Sequence, residues 1–148
     1  CNPDLLIADE PTTALDVVIR GEVMDLLKDI KKKLGVSILF ITHDLGVVLE
    51  LAEKVAIMYA GNVLEYSDVE RIFNDPRHPY TKGLIDSIPK EGQRRLKGIE
   101  GDVPDMIRPP SGCRFHPRCA KASEKCARQR PTMVEVEQGH FAACNIAV

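Results

Sequence analysis

Two apolar runs and an amphipathic stretch between them organise the first third of the chain. The runs, residues 5–8 and 36–42, are almost continuously apolar, which is typical of strands buried inside a parallel sheet. Between them, apolar residues recur at helical spacing from Val17 to Leu34, and Gly35 then ends the predicted helix. A strand, a helix and a second strand in this order predict an α/β segment with a right-handed crossover.

A hairpin is predicted after a short helix that follows the second strand. Two further strands, residues 55–60 and 63–66, flank the dipeptide Gly61-Asn62. Such a dipeptide between two apolar runs is a signal for a two-residue hairpin turn. We therefore expect these two strands to be antiparallel.

The pattern becomes less regular after the hairpin. Ser67 with Glu70 has the form of a capping box, which predicts a short helix, and a further helix is predicted over residues 80–88. Residues 89–112 contain four prolines and four glycines in 24 residues, with little periodicity. We expect a linker or an extended segment there.

Composition divides the chain into two parts that differ in charge. The 148 residues are 44% hydrophobic and 28% charged, as in ordinary globular proteins. Residues 1–88 carry 9 basic and 15 acidic side chains, whereas residues 89–148 carry 11 basic and 7 acidic ones. We predict a first domain over residues 1–88, and a linker with a cysteine-bearing extension over residues 89–148.

The same composition disfavours two classes of function. No apolar run approaches the length of a membrane span and no signal peptide opens the chain, so no membrane-spanning segment is expected. Aromatic residues make up 5% of the chain and the net charge is -2, which argues against nucleic-acid binding. The lysine run at residues 31–33 is interpreted as a solvated helix face.

Polar side chains follow both apolar runs at the point where each predicted strand ends. Asp9 and Glu10 end the first run, and His43 follows the second. Because the carboxyl ends of parallel strands lie at one edge of the sheet, the three side chains are expected around one site. Alternation along the strand would let one acid serve Mg²⁺ while the other addresses a separate atom. The alternative is structural, with an acidic strand end, Asp16 as the helix N-cap and His43 as a solvent-side residue.

Several motifs together resemble one protein family. The stretch LLIADEPTTALD, followed by ITHD across a helix and a strand, resembles the Walker B, D-loop and H-loop of ATP-binding cassette (ABC) transporter ATPases. VAIMYAGNVLE, HPYT and GCRFHPRC narrow the resemblance to the ATP-binding subunits of dipeptide and oligopeptide importers. It covers essentially the whole chain. It implies the C-terminal half of a P-loop NTPase core, of the α/β class, with a Cys-rich and mostly irregular C-terminal extension.

The resemblance also implies roles for individual residues. Asp9 would organise the Mg²⁺ of Mg-ATP, Glu10 would polarise the attacking water, and His43 would contact the γ-phosphate. Asp16 would lie in the loop that crosses to a second ATPase subunit. Transmembrane permease subunits would be the other partners, which implies a cytoplasmic protein on the inner face of the cell membrane.

Two motifs of this family are absent from the 148 residues. There is no G-x-x-x-x-G-K followed by Ser or Thr, and no LSGGQ signature. We expect both upstream of Cys1, and we expect this chain alone to be inactive. The alternative is a stand-alone metal-binding or regulatory module derived from such an ATPase.

The extension contains four cysteines with the spacing C-x5-C-x6-C-x17-C: Cys113, Cys119, Cys126 and Cys144. A 4Fe–4S cluster takes four thiolates and tolerates irregular loop spacing, and nearby arginines would offset its charge. Similar importer ATPases carry such a cluster, so the resemblance favours it. Zinc is the alternative, with His116 or His140 as a substitute ligand. Disulfides are a third interpretation, which a cytosolic location disfavours.

Overall fold

The computed structural model describes residues 3–89 and 98–146. The chain divides into two compact units, Cys1–Glu53 and Lys54–Val148. In chain order the elements are β1 (Leu5–Asp9), α1 (Val17–Leu34), β2 (Ser37–Ile41), α2 (Leu45–Leu51), β3 (Lys54–Tyr59), β4 (Asn62–Asp68), α3 (Val69–Asn74), α4 (Pro79–Asp86), α5 (Glu124–Arg128), β5 (Val134–Glu137) and β6 (His140–Ala142), with a 3₁₀ turn at His116–Arg118.

The first unit is the expected strand, helix, strand and helix. β1 pairs with β2 in parallel, and Asp9 lies opposite Ile41 at the carboxyl end of the pair. α1 begins after Asp16, whose side chain accepts a hydrogen bond from the backbone N–H of Ile19, and it ends at Gly35. Gly35 has a φ of 65°, a left-handed conformation that glycine adopts without steric cost. This mixed α/β architecture agrees with the fold class that the resemblance implies.

One expectation about this sheet is wrong: its strands are not buried on both faces. Leu5 and Ile7 of β1 are exposed, as are Leu39 and Ile41 of β2, whereas Ala8 on the alternate face is buried. Side chains alternate between the two faces of a strand, and a parallel sheet is normally covered on both. Within the described residues, the face that carries the four exposed side chains has no covering layer.

The second unit contains a four-stranded antiparallel sheet in the order β3-β4-β6-β5. The predicted β3-β4 hairpin is present, but its turn lies one residue earlier than expected. Ala60 and Gly61 are the two turn residues, with φ of 47° and 74°, and Asn62 already pairs with Tyr59. A turn of this kind needs a positive φ at both central residues. Here those residues are Ala60 and Gly61, so Asn62 belongs to β4.

The predicted capping box is also wrong. Ser67 lies within β4, where its hydroxyl donates a hydrogen bond to the carbonyl of Gly139 at 3.2 Å. α3 begins after Asp68, whose side chain makes no capping hydrogen bond. The local pattern assigned the Ser67 hydroxyl to a helix start, but the hydroxyl bonds instead to the C-terminal part of the chain.

The C-terminal part of the chain contributes to the same sheet as the hairpin. β6 pairs with β4, so that Tyr66 lies opposite Phe141. Residues 98–112 form no helix or strand, as expected for the linker, and residues 90–97 of that linker lie outside the described range. The core of this unit contains Tyr59, Leu64, Cys113, Phe115 and Cys126. The boundary between residues 88 and 89 stays a prediction.

None of the helices described is both long enough and apolar enough to cross a membrane.

Candidate functional site

Glu10 and His43 come together at the carboxyl edge of the parallel strand pair. The Nδ1–H of His43 donates to Oε1 of Glu10 at 2.9 Å. The side chain of His43 is 78% exposed and that of Glu10 is 38% exposed. The other carboxylate oxygen of Glu10, Oε2, accepts a hydrogen bond from the hydroxyl of Thr13. The site is therefore an exposed carboxylate held from two sides.

The backbone of Glu10 is held as firmly as its side chain. Glu10 has a φ of 50°, which residues other than glycine rarely adopt. Its N–H donates to the carbonyl of Ile41 at 2.9 Å, which extends the β1-β2 pairing by one residue. Its carbonyl accepts the N–H of Thr13 at 3.1 Å and closes a four-residue turn through Pro11. β1 therefore ends at Asp9, and Glu10 is the first residue of the turn that follows.

The contacts of Glu10 favour its charged form. The hydrogen bond from Thr13, followed by that from His43, holds the pKa of Glu10 below its usual value. Reciprocally, the hydrogen bond to Glu10 raises the pKa of His43. The pair therefore combines a carboxylate that is ready to accept a hydrogen bond with an imidazole that is biased towards its protonated form.

Asp9 is exposed at the end of β1, and within the described residues its carboxylate has no hydrogen-bond or ion-pair partner. An exposed carboxylate has the donor chemistry that Mg²⁺ prefers. Asp16 is engaged in structure, since it caps α1 through the N–H of Ile19 at 2.9 Å. That capping role is the structural alternative for Asp16, and its predicted place at a subunit interface stays a prediction.

The segment that carries His43 is fixed by an ion pair that the sequence did not reveal. Asp44 caps α2 by accepting the N–H of Gly46 at 2.9 Å. Its other oxygen accepts from the guanidinium of Arg20 on α1 at 2.7 Å. The sequence predicted neither Arg20 nor Thr13 as a site residue. For Thr13, its spacing of three residues from Glu10 was the signal that could have indicated a contact.

A second carboxylate and imidazole pair lies buried in the Lys54–Val148 unit. The Nε2–H of His140 donates to Oε1 of Glu65 at 2.7 Å, and the two side chains are 1% and 0% exposed. Glu65 also accepts the backbone N–H groups of Arg77 at 2.7 Å and His78 at 2.9 Å. It thereby ties β4 to β6 and to the segment that begins α4.

His78, the first residue of the HPYT motif, caps α4 instead of facing solvent. Its Nδ1 accepts the N–H of Tyr80 at 3.0 Å. Burial lowers the pKa of His78 to about 4, so the ring is neutral at pH 7. Four buried atoms in this region have no hydrogen-bond partner among the described residues: Arg77 Nε, His78 Nε2, Thr81 Oγ1 and His140 Nδ1. The first residue of the motif therefore serves the fold.

The four cysteines of the extension, Cys113, Cys119, Cys126 and Cys144, are free thiols, and all but Cys119 are buried. The N–H of Cys113 donates to the carbonyl of Cys126 at 2.8 Å. Gly112 beside it is required, because a Cβ there would lie 2.3 Å from the same carbonyl. Burial raises the pKa of the Cys113 and Cys119 thiols.

The arrangement of these cysteines does not show a metal site. Across residues 3–89 and 98–146, no group of three or more His, Cys, Asp or Glu side chains is placed to hold a metal ion. The donor chemistry suits a metal, but the geometry does not support the expected 4Fe–4S cluster or zinc. His140 is engaged by Glu65, and the Nδ1 of His116 contacts the carbonyl of Cys113 at 2.9 Å. The four cysteines form no disulfide with one another either.

The chain has clear relatives among known proteins. The family described as the C-terminal region of oligopeptide and dipeptide transporters matches residues 64–126. Over 147 residues the chain is 46% identical to the dipeptide transport ATP-binding protein DppD of Caldanaerobacter subterraneus, which covers 98% of this chain and 45% of that protein.

Two further relatives align over a similar range. The oligopeptide transport ATP-binding protein AppD of Bacillus subtilis is 51% identical over 146 residues, which covers 97% of this chain and 44% of that protein. The oligopeptide transport ATP-binding protein OppF of Haemophilus influenzae is 46% identical over 148 residues, with 96% and 44% covered. The chain thus spans less than half the length of these curated relatives.

Proposed function

This chain belongs to the ATP-binding proteins of peptide ABC transporters, and we propose that it is part of the subunit whose ATP hydrolysis powers peptide import across the cytoplasmic membrane. The relatives confirm the predicted family. The observation that carries the proposed chemistry is the Glu10–His43 contact of 2.9 Å at the end of two parallel strands. Sheets of this kind bind ligands at that edge.

In the proposed reaction, the Glu10 carboxylate accepts a hydrogen bond from the attacking water. The water oxygen bonds to the γ-phosphorus, the bond from that phosphorus to the bridging oxygen breaks, and ADP and phosphate leave. His43 donates a hydrogen bond to the γ-phosphate, where a protonated imidazole offsets the charge. Asp9 would hold Mg²⁺, which neutralises phosphate charge when bound. Catalysis of this kind depends mainly on positioning, which the fixed Glu10–His43 contact supplies.

The partners and location follow from this function. We infer that Asp16, exposed at the start of α1, faces a second ATPase subunit, and that the complex docks on transmembrane permease subunits at the inner face of the membrane. The named relatives, which are transport ATP-binding proteins, support this inference. The 148 residues contain no phosphate-binding loop and no LSGGQ signature. We infer that they do not hydrolyse ATP by themselves.

The test is a substitution in a full-length protein that carries this chain. Glu10→Gln keeps the shape of the side chain and removes its charge. We expect kcat for ATP hydrolysis to fall on the order of 100-fold while ATP binding is retained. Glu22→Gln, on the exposed surface of α1, is the matched control and should leave kcat unchanged. Unimpaired hydrolysis by Glu10→Gln would reject the assigned role.

We also propose that the four cysteines, Cys113, Cys119, Cys126 and Cys144, bind a 4Fe–4S cluster, with zinc as the alternative, on their donor chemistry alone. Four free thiols are the donor set that such a cluster takes. Iron and sulfide in protein purified without oxygen would support the cluster. Zinc would support the alternative, and metal-free protein would reject both.

A further inference from the structure

Thr13 makes the second contact on the candidate catalytic carboxylate. Its hydroxyl donates to Oε2 of Glu10, while His43 contacts Oε1 at 2.9 Å. Its backbone N–H also donates to the carbonyl of Glu10 at 3.1 Å. Thr13 therefore binds Glu10 twice, once through the backbone and once through the side chain.

We propose that Thr13 is a positioning residue that holds the Glu10 carboxylate in the orientation required for ATP hydrolysis. This inference rests on the proposed function and assigns a role to Thr13, which lies within the LLIADEPTTALD stretch between Glu10 and Asp16. Thr13 acts through Glu10, with no contact to nucleotide assumed.

The physical reason is the freedom of a glutamate carboxylate. The terminal torsion of glutamate joins an sp³ carbon to an sp² carbon and has a broad energy profile, so one hydrogen bond leaves the carboxylate free to turn. A second donor on the other oxygen restricts the plane of the group. His43 and Thr13 supply these two donors from different segments, the end of β2 and the turn after β1.

The turn itself makes Thr13 a suitable donor. Glu10 and Thr13 are the first and fourth residues of a turn closed by their backbone hydrogen bond, and Pro11 restricts the second position. The left-handed φ of 50° at Glu10 has an energetic cost, which is tolerated where the surrounding contacts determine the conformation. Nearby, Arg20 and Asp44 pair with each other at 2.7 Å and do not compete for Glu10.

Within the described residues Thr13 is exposed, so packing does not explain these contacts. Replacing it with valine keeps a branched side chain and creates no buried cavity. The change therefore removes the hydroxyl without removing core packing. Serine restores the hydroxyl with a smaller side chain, which separates hydrogen bonding from shape.

The experiment compares Thr13→Val, Thr13→Ser and Thr132→Val in the full-length protein. Thr132 is an exposed threonine in the extension and serves as the control for the same chemical change. Thr13→Val should lower kcat about tenfold, the effect expected from losing a hydrogen bond to a charged group, with KM for ATP unchanged. Thr13→Ser should restore kcat to about half the wild-type value or more, since it restores that bond. Thr132→Val should match the wild type.

The outcomes separate this inference from the proposed function. Wild-type kcat in Thr13→Val, or equal losses in the Val and Ser variants, would overturn the positioning role. A rise in KM with kcat unchanged would also overturn it, because that pattern indicates ground-state binding. A wild-type protein without ATPase activity, or a fully active Glu10→Gln variant, would reject the proposed function itself.

Discussion

The chain contains two carboxylate and imidazole pairs that are alike in chemistry and opposite in environment. Glu10 and His43 are 2.9 Å apart at an open strand end, whereas Glu65 and His140 are 2.7 Å apart in the interior. The buried pair has two further backbone donors on its carboxylate. In the exposed pair, most of the His43 imidazole is accessible to solvent. The two pairs have the same chemistry, so their exposure is what distinguishes a pair that can contact a ligand from a pair that stabilises the fold.

The largest predicted effect is on stability and comes from breaking the buried pair. Glu65→Ala leaves the buried N–H of His78, the partly buried N–H of Arg77 and the ring of His140 without their acceptor. We expect a loss of about 3–5 kcal/mol in the free energy of unfolding, measured by denaturant titration. Glu10→Ala is the matched control at the exposed pair and should leave that free energy essentially unchanged, because exposed ion pairs contribute little. Equal effects at the two sites would contradict the comparison.

A smaller effect is expected from the pH dependence of the buried region. The pKa of His78 is about 4 in the folded protein, well below the ordinary histidine value of 6.5, so the unfolded chain binds this proton more readily. Stability from this group is complete above pH 6.5 and is lost as the pH falls towards 4, by about 3 kcal/mol in total.

The matched variant for this pH effect is His78→Asn. Asparagine can still accept the N–H of Tyr80 as an N-cap but does not titrate. The variant should lack this part of the acid-induced loss when unfolding is followed between pH 7 and about 4. An unchanged pH dependence would show that His78 does not carry the effect.

Local signals in the sequence were enough to predict the order of the elements in the first unit, but not the exposed face of its sheet. Asp16 and Gly35 mark the two ends of α1, because the residues that cap a helix lie next to it in the sequence. The meeting of Glu10 and His43 was predictable because parallel strands place their carboxyl ends together. Their catalytic roles came from family resemblance and stay proposals.

Contacts between distant residues were the part that the sequence did not reveal. Ser67 was assigned to a capping box, but its partner Gly139 is 72 positions away. Glu65 and His140 are 75 positions apart, and no local pattern marks them as partners. The hairpin turn shifted by one residue because Ala60 adopts a positive φ that its side chain does not favour. For Ser67, pairing with a distant residue overrides the local preference.

The most direct test of the central claim is a structure of the full-length protein with Mg²⁺ and a slowly hydrolysed ATP analogue. The account predicts a water within roughly 3 Å of the Glu10 carboxylate, positioned to attack the γ-phosphate, and His43 in contact with that phosphate. A nucleotide bound with its γ-phosphate out of reach of both Glu10 and His43 would contradict it.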